Sequence, residues 1–287
     1  MGNDNVLILH ISDLHFGDNF SVSASRPDFT YEKLAEKISL HIKEKYQETK
    51  IVIALSGDVA NKGNVNKYQE SLKFLRGIEN VLSTDKEVHF IICPGNHDLN
   101  TKPSTSNFHD FNKFTYKLIG TDDFCFGKEH SIPYEIFNWS FILLNTQYHL
   151  DHTYGLIDIG DFNKRVLQAK HPVIVLMHHN LIPIFGKKAD DTIRNSYGFI
   201  QDCLKENVKL ILHGHVHSSF KLSICNTPDP LHIIGVGAPL PELKTNYNNQ
   251  FNVIILEKES IKTIDNYKFS YDSVFSSEPE FKKYEIL

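Results

Sequence analysis

Five short apolar runs in this chain each end abruptly in residues that bind metals or move protons, and that recurrence narrows the folds open to it. Val6-Leu-Ile-Leu-His-Ile11 runs into Ser12-Asp13-Leu14-His15-Phe16-Gly17. Ile51 to Leu55 runs into Ser56-Gly57-Asp58-Val59-Ala60-Asn61, and Val88 to Ile92 into Cys93-Pro94-Gly95-Asn96-His97-Asp98. Val173 to Met177 is followed at once by His178-His179-Asn180, and Leu210 to Leu212 by His213-Gly214-His215-Val216-His217. Short apolar runs bounded by turn residues read as buried strands. Gly95 lets the backbone turn tightly where Asn96, His97 and Asp98 present an amide, an imidazole and a carboxylate.

Amphipathic stretches alternate with these runs. Tyr31, Leu34, Ala35, Ile38, Ile42 and Tyr46 recur mostly at spacings of three and four, with Glu32, Lys33, Glu36, Lys37, Lys43 and Glu44 between them. Tyr68, Leu72, Leu75 and Leu82 make a second helical stripe; Ile193, Tyr197, Ile200 and Leu204 make a third. This β-α-β alternation predicts an α/β fold. Sites in open α/β sheets form outside the carboxyl ends of the strands, so five polar clusters located there converge on one place.

The remainder is less regular. Residues 99–138, with Pro103 and the aromatics Phe108, Phe111, Phe114, Phe124, Phe126 and Tyr134, read as an insertion. Its aromatics can roof a pocket, but their spacing favours a small packed helical excursion. Trp139 to Leu144 resumes strand character, and the loop after it carries His149, Asp151 and His152, read as surface residues. His232 to Val236 and Asn252 to Leu256 read as strands of a later, antiparallel part. Residues 1–270 then form one domain, and residues 271–287, with Ser276-Ser277-Glu278-Pro279, a tail or linker.

Composition excludes several classes. With 41% hydrophobic residues in 287, the chain can bury a large core. A net charge of −5 gives no broad basic surface for nucleic acid or anionic membrane. Cys93, Cys125, Cys203 and Cys225 are widely spaced, which suits reduced thiols in a cytoplasmic protein and not a zinc ribbon or disulfide framework. Met1-Gly2-Asn3-Asp4-Asn5 lacks the layout of a signal peptide, and the apolar runs are too short to span a bilayer, so a soluble protein is expected.

Sixteen histidines, several beside Asp, Asn or Gly, ask for a metal explanation. The donors at the strand ends are Asp13, His15, Asp58, Asn96, His178, His215 and His217. Mixed carboxylate, amide and imidazole donors suit divalent or transition ions such as Mn, Fe or Zn better than calcium. Seven ligands are too many for one such ion and enough for two that share a carboxylate, an arrangement widely used for phosphoryl displacement.

In these motifs the sequence resembles the calcineurin-like metallophosphoesterases. The family's series appears in order as Asp13-Leu14-His15, Gly57-Asp58, Gly95-Asn96-His97-Asp98, His178 and Gly214-His215-Val216-His217. The resemblance implies a four-layer αββα sandwich of two mixed sheets flanked by helices. It further implies Asp13, His15 and His217 around one ion, Asn96, His178 and His215 around the other, and Asp58 bridging. His97 is the family's residue beside the scissile phosphate, and Asp98 is expected to orient and charge-stabilise it. The resemblance favours His178 over His179 as ligand and gives His213 no ligand role; Asn61 and Asn180 read as turn caps. The implied activity is phosphoric ester hydrolysis by a metal-activated water. Ser56 through Gly63 most resembles bacterial cyclic-nucleotide phosphodiesterases, so a phosphodiesterase acting on a nucleotide is expected. A DNA nuclease of the double-strand-break repair type is the alternative, then a phosphomonoesterase or protein phosphatase, and last a non-enzymatic scaffold.

Overall fold

A computed structural model describes residues 4–16, 31–61, 67–103, 105–184, 192–225, 229–239, 249–270 and 280–284. Gly17, Lys62, Gly63 and Ser276 to Pro279 lie outside the described residues, as do residues 1–3. In chain order the elements are β1 (Val6–Ile11), α1 (Tyr31–Lys45), β2 (Lys50–Ser56), α2 (Lys67–Leu82), β3 (Glu87–Cys93), α3 (His109–Ile119), β4 (Ser131–Ile136), β5 (Trp139–Leu144) and α4 (Ile159–Gln168). There follow β6 (Val173–Leu176), α5 (Ser196–Lys205), β7 (Leu210–His213), β8 (Phe220–Ile224), β9 (Leu231–Gly235), β10 (Asn249–Glu257), β11 (Ser260–Ser270) and β12 (Glu280–Tyr284).

Two six-stranded mixed sheets result, in the orders β12-β11-β10-β1-β2-β3 and β4-β5-β6-β7-β9-β8. The pleat explains how uniformly apolar strands serve two cores. In the second sheet Phe141, Leu143, Ile174, Leu176, Leu210, Leu212 and Ile234 share the first sheet's core. Their neighbours Ile142, Leu144, Val173, Val175, Ile211 and Ile233 join Phe162, Val166, Phe199 and Cys203 of α4 and α5. With α1 and α2 packed on the first sheet through Leu34, Ile38, Ile42, Phe74, Leu75 and Ile78, the molecule is the expected αββα sandwich.

Strands β1, β2 and β3 run parallel with Ile11 opposite Leu55 and Ser56 opposite Cys93, so their carboxyl ends are level. Parallel β6 and β7, with Leu176 opposite Leu212, do the same in the second sheet. All five motif-bearing ends therefore meet at one edge of the sandwich.

Four expectations need correction. The third helical stripe holds only in part: Ile200 and Leu204 pack against the core beside the fully buried Phe199 and Cys203 of α5, whereas Tyr197 is 79% exposed and Ile193, though buried, precedes the helix. Helix α4 escaped the sequence reading, although Asp158 caps it by accepting from the Asp161 N–H at 3.0 Å and Phe162 and Val166 sit one turn apart. Part of the 99–138 segment belongs to the second sheet. Residues 131–136 are β4, joined to β5 by a tight hairpin in which Phe137 and Asn138 both adopt left-handed backbone. Finally, Glu280–Tyr284 of the expected tail is an edge strand on β11, with Lys283 Nζ donating to Asp265 at 2.8 Å; the later strands are antiparallel as expected, β9 to β8 and β10 to β1 and β11, with the β9–β7 pairing alone parallel.

The packed-excursion reading of the aromatics agrees with the fold. Phe108, Phe111, Phe114, Phe124 and Phe126 are all buried in the main core. Asn112 clips the segment to itself, accepting from the Phe126 N–H and donating to the Phe126 carbonyl. Phe111→Ala is therefore expected to cost about 3–5 kcal/mol of stability in urea unfolding, the range for deleting a buried aromatic ring.

Candidate metal centre

Backbone pairing continues past the strand ends between the first two motifs, and again between the last two, where the Gly214 N–H donates to the His178 carbonyl at 3.0 Å. The Asp13 N–H donates to the Gly57 carbonyl at 3.1 Å, His15 N–H to Asp58 at 2.9 Å and Asn61 N–H to Phe16 at 3.0 Å. Five of the seven expected ligands, Asp13, His15, Asp58, His215 and His217, have left-handed backbone with φ between 46° and 73°. Such conformations cost roughly 1–3 kcal/mol each for residues with a Cβ and cluster where function requires them.

Glycines make the convergence possible. A Cβ on Gly95 would lie 2.1 Å from Asp58 Oδ1, one on Gly214 1.8 Å from Ser12 Oγ, and one on Gly57 2.7 Å from His178 Nδ1. No side chain fits at these three places, because the loops of both sheets touch there.

Two sets of lone-pair atoms occupy the edge. In one, His15 Nε2 and His217 Nε2 are 3.0 Å apart, and Asp13 Oδ1 lies 3.2 Å from His217 Nε2. In the other, His178 Nε2 is 2.9 Å from Asn96 Oδ1 and 3.2 Å from His215 Nδ1. Asp58 Oδ2 belongs to both, 3.5 Å from His15 Nε2 and 3.2 Å from His178 Nε2. His178 donates its Nδ1–H to the Ser56 carbonyl at 2.8 Å, which turns Nε2 toward the cluster. Both nitrogens of His179 are taken, by Thr146 Oγ1 at 2.7 Å and Gln147 Nε2 at 2.9 Å, so His178 and not His179 enters the cluster.

The electrostatics follow from burial. Asp13 and Asp58 are 0% and 2% exposed, and Asp13 Oδ1 has no hydrogen-bond partner. Burial works against their ionisation, but His217 and His15 for Asp13, and His178 and His15 for Asp58, hold both carboxyls well below the ordinary range. Burial also lowers His178, yet Asp58 and then Asp13 lift it to about 9. Asp13, His15 and His217, and separately Asp13, Asp58 and His178, bring ligand atoms within 4.8 Å of one another, as do His15, Asp58 and His97. A crowded set of buried anionic oxygens and imidazole nitrogens fits divalent cations, which satisfy all the lone pairs at once.

The chemistry around His97 departs from the sequence expectation. Its main-chain N–H donates to Asp58 Oδ1 at 2.8 Å, and its Nδ1–H donates to Asn61 Oδ1 at 2.6 Å. Asp98 does not orient the imidazole. Its buried carboxylate accepts from the N–H groups of Gly95, Val59 and Ala60 and from Tyr68 OH, tying the β2 and β3 loops together. Burial and the neighbouring Asp58 raise Asp98 to about 6 against the pull of those donors. Asn61, expected to cap a turn, instead accepts from the His97 ring, and its position three residues after Asp58 says nothing of which ring it meets. His213 is buried beside the Gly214 carbonyl and Asn180 donates to the Ile182 carbonyl, both structural contacts. His152 is exposed, while His149 is half-buried between the rings of Tyr148 and Tyr154.

A sequence profile of calcineurin-like phosphoesterases matches residues 6–219, about three quarters of the chain. The chain belongs to the calcineurin-like phosphoesterase family. Members of this family are metal-dependent phosphoester hydrolases with binuclear centres. It is 26% identical over 184 residues to a probable cyclic nucleotide phosphodiesterase from Coxiella burnetii. That match covers 61% of this chain and 64% of the relative, so the chain spans less than two thirds of that protein's length. A probable cyclic nucleotide phosphodiesterase from Xenorhabdus bovienii is 23% identical over 222 residues, covering 74% of this chain and 78% of the relative. The fold is shared with a dimetal phosphatase from Danio rerio, at a TM-score of 0.61 and 12% identity over 92% of this chain and 95% of that one. A purple acid phosphatase from yellow lupin gives 0.57 at 13% identity, over 98% of this chain and 53% of the lupin protein.

The glycine contacts make a direct prediction for this calcineurin-like phosphoesterase. Gly95→Ala is expected to destabilise the chain by about 1–3 kcal/mol in urea unfolding, the usual cost of overpacking. Gly198→Ala on α5, where a new Cβ meets nothing within 4 Å, should be neutral or slightly stabilising. Equal effects of the two substitutions are the contrary result.

Proposed function

We propose that this chain is a two-metal phosphodiesterase that hydrolyses a nucleotide ester, with Asp13, His15 and His217 around one ion, Asn96, His178 and His215 around the other, and Asp58 shared. The observation that carries the reading is the division of lone pairs into two sets that meet at Asp58 Oδ2. The mixture of oxygen and imidazole donors suits Mn, Fe or Zn. When bound, two such ions withdraw charge from the phosphoryl oxygens and activate water near neutral pH.

The chain's own residues do the rest. Asn96 and His97 are half-buried at the mouth of the cluster, within reach of an ester that sits over it. With Nδ1–H committed to Asn61, Nε2 is the atom of His97 that passes a proton to the leaving alkoxide oxygen. Burial lowers His97 below the ordinary histidine range, and the negative charge of a bound diester works against that shift. Asp98 serves this step at one remove, by fixing the loop on which His97 stands.

The named relatives support a cyclic nucleotide as substrate. A net charge of −5 supports a small ester over a long nucleic-acid track. Among the described residues no helix is long and apolar enough to cross a membrane. Four unpaired thiols, Cys125 and Cys225 exposed among them, support a reducing, cytoplasmic setting.

The deciding experiment is a substrate panel with Mn-loaded protein: bis-p-nitrophenyl phosphate against p-nitrophenyl phosphate, then cyclic nucleotides, then single- and double-stranded DNA. Faster cleavage of the diester together with turnover of a cyclic nucleotide is expected. Cleavage of DNA alone would make the protein a nuclease, and silence on every ester with two ions bound would make it a scaffold. In the same assay His97→Ala should lower turnover by about 10²–10⁴-fold, the range for general acid–base groups, with metal content retained. Asp58→Asn should lose metal. Because His178 is held at about 9 before an ion binds, loading at pH 7 should release its proton and apparent affinity should rise with pH up to that value. Titration calorimetry in buffers of different ionisation enthalpy measures the release directly.

A further inference from the structure

His215 enters the cluster from the loop after β7. Its main-chain N–H donates to Asp13 Oδ2 at 3.0 Å and its backbone is left-handed at φ 73°, which fixes the Cα but not the ring. The ring is met by two neighbours: His178, with Nε2 3.2 Å from His215 Nδ1, and His179, whose ring centroid is 4.4 Å away at 40°.

His179 is itself clamped. It is fully buried, and so are Thr146 and Gln147 on the loop after β5. Gln147 Nε2 donates to the Tyr154 carbonyl at 3.1 Å, which identifies that atom as the amide nitrogen. It therefore also donates to His179 Nε2 at 2.9 Å, and His179 must carry its proton on Nδ1 and donate it to Thr146 Oγ1 at 2.7 Å. Every polar position of the ring is used, and one tautomer is selected.

Space is reserved for that ring as well. A Cβ on Gly155 would lie 2.7 Å from His179 Cγ and 2.8 Å from its Cβ. Gly155 is pinned there by pairing with the 192–194 segment, its N–H donating to Thr192 and its carbonyl accepting from Arg194. A buried, doubly hydrogen-bonded ring is a rigid wall, and an imidazole packed against it at a tilt loses much of its rotational freedom.

We infer that His179, held by Thr146, Gln147 and Gly155, is a positioning residue that sets the ring of His215 for one ion only. The inference rests on the two-ion reading above. It concerns the ion allotted to Asn96, His178 and His215, because the rings His179 packs against are those of His215 and His178.

The test uses the full chain with Mn(II) alone as probe. Calorimetric titration gives the affinity of each ion, and electron paramagnetic resonance distinguishes a spin-coupled pair from a lone six-line ion. His179→Gln is expected to weaken one ion by about 10–100-fold, the usual cost of removing a residue that orients a ligand, while the other keeps its affinity. At one equivalent beyond the tight site, the coupled signal gives way to the six-line signal. Thr146→Val, which removes only the acceptor for His179 Nδ1–H, should move the same ion in the same direction by less, and decides the matter where His179→Gln does not fold. Unchanged affinities for both ions, or equal weakening of both, overturn the inference. Wild-type protein that binds fewer than two ions, with no coupled signal, overturns the two-ion reading instead and is recognised before any variant is made.

Discussion

The structure depends on one buried carboxylate, Asp58, placed where two sheets meet. Its Oδ1 accepts the His97 main-chain N–H and its Oδ2 faces His15 and His178, so one side chain orders loops after β1, β2, β3 and β6. A carboxylate that is 2% exposed is tolerable only among positive partners, and the histidines around it supply them. Gly57 and Gly95 exist because nothing larger fits against this group and its neighbours.

Behind the site lies a second polar layer that rigidifies the first. Ser56 is its hub, with its carbonyl accepting from His178 Nδ1–H and from Ser12 Oγ–H. Its hydroxyl meets His10 Nε2 at 2.9 Å, while Asn252 donates to His10 Nδ1 and Asn266 donates to Asn252. These groups sit in the interior of the first sheet, where an unpaired polar atom is costly, and the chain of donors and acceptors runs from β11 to the edge of the candidate metal centre. Burial keeps His10 uncharged, lowering it to about 3, so the layer adds dipoles and no further charge.

The seven expected ligands were legible because strand ends are local. Apolar runs followed by Asp, Asn or His are visible without any tertiary contact, and parallel β-α-β order brings such ends to one edge. Partners of the functional groups were not legible in this way. That His97 meets Asn61 and not Asp98 is a matter of which way two loops fold over each other, and adjacency in sequence pointed to the wrong residue. Similarly, Tyr197 fell in the right period for a helix but on the wrong face, because Phe199 and Cys203 take the core side of α5. The edge strand β12 lay in a stretch whose composition reads as a linker, since edge strands with Lys282 and Lys283 carry no apolar alternation to announce them.

By itself the sequence determined the order of the motifs, the α/β class and which donor side chains stand at strand ends, because each depends on the identity of a side chain and its place at the end of a run. Tertiary structure alone decided which lone pairs share Asp58, which of two adjacent histidines faces the cluster and which serves as its wall. Those choices rest on ring orientation and on the fit of glycines between loops, and neither is a property of any one stretch of chain.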